Sequence, residues 1–337
     1  PITQAPAFAQ EVTVSPETAG IEQVTFDVTF SRAMEQGVPP DVSFHSSKRG
    51  TSTIFTEDDG LADNNVRVIA ADHEGHLWFG TANWESKGVS HYDGQEWKTF
   101  NTDNSGLLRN GVYDIFADDD GRIWFGHNDG GVSRWDGSSW VTYTRPSDVW
   151  VGEIHHMAQT SDGTMWFATY DGLLSHDGTG WKEYQTEDGV PSNNIMGLAV
   201  DRQDRVWIAY DDTQGGVAMY DGATWTTYDS SDGFDATWVR TVFADSTGRV
   251  WVAGQSDSTN TRLYKFENDQ WTGYGYHNTN GELNTEISVI AEDEEGVVWF
   301  ASSWEDYFVK YESGTWGRQE IARSSDEIRT MAFDGLG

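Results

Sequence analysis

Seven positions in this chain, each at the start of a similar apolar segment, carry residues that could bind a ligand. The residues differ from one another, and three of them are arginines, which suits an asymmetric pocket for an anionic group. Arginine pairs with carboxylate or sulfate groups, and a local positive charge attracts them. The alternative is that these arginines pair with acidic neighbours in adjacent loops. The positions are Arg67, Tyr113, His155, Met196, Arg240, Ser288 and Arg329.

Histidines offer a weaker signal, for metal binding. His155 and His156 are adjacent, so on a regular strand they would face opposite sides and could not readily share one ion. His73 and His76 flank a turn and could approach each other, but two histidines alone are a weak metal signal. We therefore expect no metal site and no cofactor.

Two acidic turns suggest calcium. They are Asp118–Gly121 and Glu292–Gly296. Calcium takes six to eight oxygen ligands from a loop of defined spacing, which these short turns lack. We expect them to be solvated acidic turns.

Catalytic motifs are not evident. The sequence shows no Ser-His-Asp order, phosphate loop or paired-histidine helix. Carboxylates are so numerous that a glycosidase pair would not stand out. We expect a non-catalytic protein, with a lyase or glycoside-active enzyme as the alternative.

Composition limits the partners. Of 337 residues, 55 are acidic and 21 basic, and the formal net charge is −34. Such a surface repels nucleic-acid phosphates and anionic lipid headgroups, so neither is expected as a partner. The absence of cysteine excludes disulfides, thiolate zinc sites and cysteine nucleophiles. No run of 18 apolar residues exists, so no membrane insertion is expected.

The elements that position the seven residues belong to a repeat. Six segments, spaced 41 to 48 residues apart, each carry an inner and an outer tryptophan. The inner tryptophans are Trp78, Trp124, Trp166, Trp207, Trp251 and Trp299. The outer ones are Trp97, Trp140, Trp181, Trp225, Trp271 and Trp316. Each repeat predicts four short antiparallel strands with Asp-Gly hairpin turns, and neighbouring sheets must cover one another's faces. We expect the tryptophans to fill the wedges between the blades of a β-propeller.

The chain ends predict how the ring closes. Residues 326–337 resemble a first strand and its turn, and residues 21–56 contain three further strand-like stretches. A seventh blade built from both ends would remove an exposed edge. We therefore predict an all-β, seven-bladed propeller of four-stranded antiparallel blades over residues 21–337, with six full repeats in 65–320. The closing blade forms within one molecule or through strand exchange between molecules.

The repeat resembles that of the two-component regulator propeller family. The segments Gly121–Gly126 and Gly131–Gly137 carry the resemblance most closely, and it extends over about residues 51–337. It implies a β-propeller, usually extracellular or periplasmic, that often forms the ligand-sensing part of a receptor. Similar Trp-Phe repeats occur in virginiamycin B lyase-like propellers. Residues 26–44 weakly resemble part of a bacterial immunoglobulin-like domain.

These observations favour an extracellular or cell-surface module, periplasmic in the alternative, that binds a ligand or forms a structural surface. Its expected partners are a glycan or protein ligand, or further copies of itself. Residues 1–20 form an N-terminal extension outside the repeat, and Glu11–Val14 resembles a strand that could pair with a neighbouring molecule and build filaments. A ligand-sensing receptor domain is the alternative within the same class.

Overall fold

The computed structural model describes most of the chain. Backbone alone is described for residues 26–30, 42–46, 52–54 and 320. Residues 55–83, 85–128, 130–144, 152–210, 215–256, 261–283, 286–302, 307–319 and 328–333 are described in full.

Within the described residues, every regular element longer than one helical turn is a β-strand. The N-terminal sheet contains β1 (Phe26–Phe30), β2 (Val42–Ser46) and β3 (Ser52–Ile54). Blade 1 contains β4 (Val66–Ala71), β5 (Leu77–Thr81), β6 (Val89–Tyr92) and β7 (Trp97–Phe100). Blade 2 contains β8 (Val112–Ala117), β9 (Ile123–His127), β10 (Val132–Trp135) and β11 (Trp140–Tyr143). Blade 3 contains β12 (Ile154–Gln159), β13 (Met165–Thr169), β14 (Gly172–His176) and β15 (Trp181–Tyr184).

The same order continues in the second half. Blade 4 contains β16 (Ile195–Val200), β17 (Val206–Tyr210), β18 (Gly216–Tyr220) and β19 (Trp225–Tyr228). Blade 5 contains β20 (Trp238–Ala244), β21 (Val250–Gln255), β22 (Thr261–Glu267) and β23 (Gln270–Gly275). Blade 6 contains β24 (Val289–Glu292), β25 (Val298–Ala301), β26 (Tyr307–Glu312) and β27 (Thr315–Glu320). Three one-turn 3-10 helices lie at Glu57–Asp59, Thr186–Asp188 and Tyr276–Asn278.

Each blade is an antiparallel meander, in which each strand pairs with the next one along the chain. In blade 1 the hairpin between β6 and β7 turns at Gly94, whose φ of +90° favours glycine. Asp93 stabilises that turn by accepting hydrogen bonds from the amides of Gln95 and Glu96. The expected Asp-Gly turns are therefore present for the chemical reason that predicted them.

The core lies between blades. One cluster joins Trp78 and Val89 of blade 1 to Val112 and Phe125 of blade 2, with Trp140 packed against it. The six inner tryptophans are at most 6% exposed, whereas the six outer ones are half-buried. Stacked aromatic faces of this kind make neighbouring blades depend on one another.

The expected number of blades is wrong. The described residues form six four-stranded blades, not seven, and β1, β2 and β3 form a separate three-stranded antiparallel sheet in chain order. The stretch 328–333 lies between blades 6 and 1 but does not form a four-stranded blade with that sheet. Six segments alone carry both tryptophan strands, and Ser52 stands at the outer-tryptophan position of the N-terminal sheet. The sequence of this sheet therefore lacks the paired tryptophans of the blades.

Candidate functional site

A repeated β-bulge presents the seven predicted residues. The ladder between the first and second strand of blades 1 to 5 shifts register across one residue. The residues at the shifts are Arg67, Tyr113, His155, Met196 and Arg240. In blade 6, Ser288 donates its amide hydrogen to Ala301 although the next residue, Val289, already pairs with Ala301. A bulge re-aims a side chain out of the regular alternation, so each first strand presents one extra residue.

All seven residues line one cavity of about 400 Å³. Six come from the first strands of the six blades or the residue just before them, and Arg329 comes from the stretch 328–333. The cavity is also lined by residues not predicted from the sequence, which are Asp114, His156, Tyr170, Thr241 and Thr330 among others. Four of these residues each directly follow one of the seven predicted residues along the chain. They are Asp114, His156, Thr241 and Thr330. The volume falls within the range typical of small-molecule pockets.

The stretch 328–333 completes the wall as a first strand would. The side chain of Thr330 accepts a hydrogen bond from the amide of Ile69 at 3.4 Å. Asp114 accepts the equivalent bond from the amide of Met157 at 2.6 Å. Ile328 and Met331 are buried against Trp299 of blade 6. The predicted resemblance of this stretch to a first strand thus holds for its position, although it forms no full blade.

The arginines have different surroundings. Arg67 lies over the ring of Tyr113, with its guanidinium carbon 4.9 Å from the ring centroid. Arg240 Nε lies 3.3 Å from Glu286 Oε1, so the alternative expectation of an acidic loop partner applies to this residue. Arg329 donates to the side chain of Asn65 at 3.1 Å.

Three titratable groups in the wall, Asp114, His155 and His156, are neutral at pH 7. Burial raises the pKa of Asp114 to about 8, opposed by hydrogen bonds from the amides of Met157 and Ile115 and by the charge of Arg67. Burial, with the charge of Arg67, lowers the pKa of His155 to about 4. Neutral Asp114 and His155 leave the arginines as the positive charges of the wall, offset by Glu286 beside Arg240 and by Glu153 beside Tyr113.

The Nε2 atom of His155 is buried and has no hydrogen-bond partner within the described residues. The residue is 9% exposed and its ring packs edge-on against Tyr170, with centroids 3.9 Å apart. A buried ring nitrogen without a partner costs free energy unless something binds it. This nitrogen therefore needs a hydrogen bond with an ordered water or a ligand.

The expectation for the histidine pair is wrong in its geometry. The bulge lies between Ile154 and His156, so alternation fails there and both His155 and His156 line the cavity. Burial, reinforced by His155 and Arg67, lowers the pKa of His156 to about 4. His73 does not face His76; its Nε2 lies 2.9 Å from the carbonyl oxygen of Asp118.

The acidic turns are partly structural. Asp118 is fully buried rather than solvated, and its carboxylate accepts hydrogen bonds from the Trp124 indole at 2.7 Å and from Arg122 Nε. Asp293 likewise accepts the Trp299 indole at 2.7 Å. In five of the six blades, an aspartate six residues before the inner tryptophan is thus its hydrogen-bond partner, a role visible in the sequence as a fixed spacing.

Comparisons with known proteins agree with this architecture. The family model described as "Two component regulator propeller" matches residues 60–83, 106–129 and 148–171. A search of curated protein sequences gives no significant match. The part of the chain that the structure describes contains no helix of the length and hydrophobicity needed to cross a bilayer.

Solved structures share the fold at low sequence identity. The extracellular domain of a hybrid two-component system from B. thetaiotaomicron is 19% identical, with a TM-score of 0.63, over 88% of this chain and 41% of that one. A streptogramin B lyase is 12% identical, with a TM-score of 0.65, over 92% of this chain and 91% of the lyase. Virginiamycin B lyase from Staphylococcus aureus is 12% identical, with a TM-score of 0.63, over 81% and 92%. This chain therefore spans about two fifths of the two-component protein's domain.

Three matched repeats and the same antiparallel blades agree with the resemblance seen in the sequence. The chain is a β-propeller that carries two-component regulator propeller repeats.

Proposed function

We propose that this chain is a non-catalytic ligand-binding propeller module of the extracellular sensor type, and that its ligand carries a carboxylate or sulfate group. The observation that carries the proposal is the cavity in which all seven ring positions meet, three of them arginines. A propeller domain of a two-component system is among the structures that share the fold, which supports an extracellular or periplasmic location.

Charge supports an anionic ligand. The whole chain has a formal net charge of −34, so an anion is repelled from most of its surface. The cavity differs, because Arg67 and Arg329 face it while Asp114 is held neutral. The buried Nε2 of His155 adds one directional polar contact, which a sugar hydroxyl or carboxylate could satisfy.

The test is isothermal titration calorimetry against a panel of oligogalacturonates, sulfated disaccharides and neutral cello-oligosaccharides. Anionic members should bind, neutral ones should not, and Arg67→Ala with Arg240→Ala should weaken binding at least about tenfold. Arg202→Ala is the matched control, since Arg202 is exposed and does not line the cavity. Unchanged affinity in the double variant would remove the cavity from consideration.

A lyase is the second candidate, supported by the neutral, unpartnered His155 between Tyr113 and Tyr170. A neutral imidazole beside a phenol could act as a proton-transfer pair. Uronate polysaccharides incubated with the protein would then give unsaturated products, and His155→Ala would abolish them. Without turnover by the wild-type protein, the binding function stands.

Self-assembly through an N-terminal strand stays a separate prediction. The stretch that suggested it, residues 1–20, lies outside the described residues. Light scattering at high protein concentration would test it, because a compact monomer would argue against strand exchange.

A further inference from the structure

Blade 1 departs from a charge pattern that the other aspartate-containing blades keep. In the described turns before five of the inner tryptophans, an aspartate accepts the indole hydrogen; they are Asp72, Asp118, Asp201, Asp245 and Asp293. Blade 3 has the neutral Thr160 instead, 3.4 Å from the Trp166 indole. A buried carboxylate is stable only if it is paired or fully hydrogen-bonded.

Two positions near the indole carry a permanent cation in the other aspartate blades. The first is four residues after the aspartate, where Arg122, Arg205 and Arg249 each direct Nε to the carboxylate. The second is opposite the inner tryptophan on the third strand. There Arg134, Lys265 and Lys310 lie over the tryptophan rings of blades 2, 5 and 6. Each of these four blades thus has a permanent cation at one position or both.

Blade 1 has histidine at both positions. His76 follows Asp72 by four residues, and His91 pairs with Trp78 across the ladder. The Nδ1 atom of His76 lies 3.6 Å from Asp72 Oδ2, and the Nε2 atom of His91 lies 4.0 Å from the same oxygen. The three ligand atoms, one from each residue, all lie within 4.8 Å of one another.

We propose that Asp72, His76 and His91 bind a divalent transition metal ion, with Zn²⁺ as the best fit. Two imidazole nitrogens and one carboxylate oxygen are a ligand set that zinc accepts, with a fourth position left for water or another ligand. Tetrahedral bonds of about 2.0–2.1 Å place ligand atoms about 3.3 Å apart, so small side-chain rotations suffice. The ion supplies the positive charge that arginine or lysine supplies in the other aspartate blades.

The surroundings suit an ion that is partly accessible. Asp72, His76 and His91 have side chains 11%, 27% and 18% exposed and line a groove of about 610 Å³ between blades 1 and 2. Asp72 Oδ1 accepts the amides of Glu74 and His76, which fixes the carboxylate and leaves Oδ2 to the indole and the ion. Glu74 Oε2 lies 3.4 Å from His76 Nδ1, but Glu74 is exposed and outside the cluster of three, which leaves the fourth position to water. Lys98 lines the same groove, but its ammonium lies over the Phe100 ring, 4.6 Å from the centroid.

The test uses the full chain after treatment with a chelator. Competition with a fluorescent zinc indicator should give one tight site per chain, and bound Co²⁺ should show the visible absorption of a low-coordinate nitrogen and oxygen site. His91→Ala should weaken zinc binding at least about a hundredfold, since even loss of an outer-shell contact costs ten- to a hundredfold. His73→Ala is the matched control, because His73 belongs to the same turn but bonds to the carbonyl of Asp118.

His76→Arg separates metal binding from folding. It recreates the Asp-Arg pair of blades 2, 4 and 5, so it should abolish the tight site while raising the melting temperature of the metal-free protein. Adding Zn²⁺ should raise the melting temperature of the wild-type protein and remove its difference from His76→Arg, because ligand binding stabilises the folded state. The proposal fails if the wild-type protein has no tight site, or if His91→Ala and His76→Arg bind zinc as well as His73→Ala does, which would indicate scattered binding to surface carboxylates.

Discussion

Asp245 illustrates how single residues hold a blade together. The residue is 2% exposed, and its carboxylate accepts hydrogen bonds from the Trp251 indole at 2.7 Å, from the Thr247 hydroxyl at 2.7 Å and from the Arg249 amide at 3.0 Å. Burial disfavours the charged form, but these bonds outweigh it and hold the pKa of Asp245 below its usual value. The group therefore joins the turn, the indole and the arginine in one buried unit.

Asp245→Ala should lower the free energy of unfolding by about 3–5 kcal/mol at neutral pH, because it leaves Arg249 and the indole hydrogen unpaired. A folded pKa below the unfolded one means that this contribution is complete above the ordinary value of 3.8 and is lost as the pH falls through the folded pKa. Urea unfolding at neutral pH and at about pH 3 measures both effects. Asp221→Ala, in an exposed hairpin turn, is the control and should have a much smaller effect. Equal losses in the two variants would contradict the argument.

Asp114 makes the free energy of unfolding depend on pH in the direction opposite to Asp245. Its pKa is raised to about 8, so between its unfolded pKa and about pH 8 the folded state holds a proton that the unfolded state has released. Stability must then fall as the pH rises through this window, by up to about 1.4 kcal/mol per pH unit. His155 and His156, lowered to about 4, change stability in the other direction, but only below about pH 6.5.

Comparing the wild-type protein with Asp114→Asn from about pH 6.5 to 8 therefore isolates Asp114, because the histidine contributions are common to both proteins. The wild-type protein should lose stability over this range, whereas Asp114→Asn should not, since asparagine can still accept the Met157 amide hydrogen. Urea unfolding at a series of pH values gives the two slopes. Parallel slopes would show that Asp114 is ionised in the folded state.

At the scale of the strand, the bulge decides which residues reach the cavity. Repeat alignment alone predicted the seven positions, because equivalent residues in stacked blades must surround one axis. It could not predict that His155 and His156 would both face the cavity, since two-residue alternation assumes an unbroken ladder. It also missed the partnership of His91 with His76, because pairing across a hairpin depends on register rather than on proximity in the chain.

The bulge itself can be tested at Met196, which lies between Ile195 and Gly197 where the register shifts. Met196→Ala should cost less than about 1 kcal/mol, because the side chain faces the cavity. Deleting Met196 should cost more than about 3 kcal/mol, because a one-residue slip turns fully buried Ile195 out of the core. Chemical denaturation of the two variants makes the comparison. Similar stabilities would mean that the strand needs no bulge.

At the scale of the whole molecule, the sequence did not determine how the ring of blades closes. Six repeats were readable because the tryptophan spacing recurs, and the first-strand character of residues 328–332 was readable from their apolar pattern. The arrangement of the two chain ends could not be read in the same way. Residues 21–56 and 326–337 contain no tryptophans, so no repeated aromatic spacing indicates which strands pack together. The stretch 328–333 instead packs on blade 6 through Ile328 and Met331 and hydrogen-bonds to blade 1 through Thr330.

If residues 328–333 close the ring of blades, a single substitution at Ile328 should strongly destabilise the protein. Ile328 is 1% exposed, so Ile328→Asp buries a carboxylate among Trp299, Phe308 and Met331 and should separate the stretch from blade 6. We expect a loss of more than about 4 kcal/mol and faster hydrogen exchange in β4 and β24, the strands on either side. Met331→Leu keeps the volume and should cost less than about 1.5 kcal/mol. If Ile328→Asp left exchange in both strands unchanged, blades 1 and 6 would have to be held by other contacts, and the stretch would be an attachment rather than the element that joins the first blade to the last.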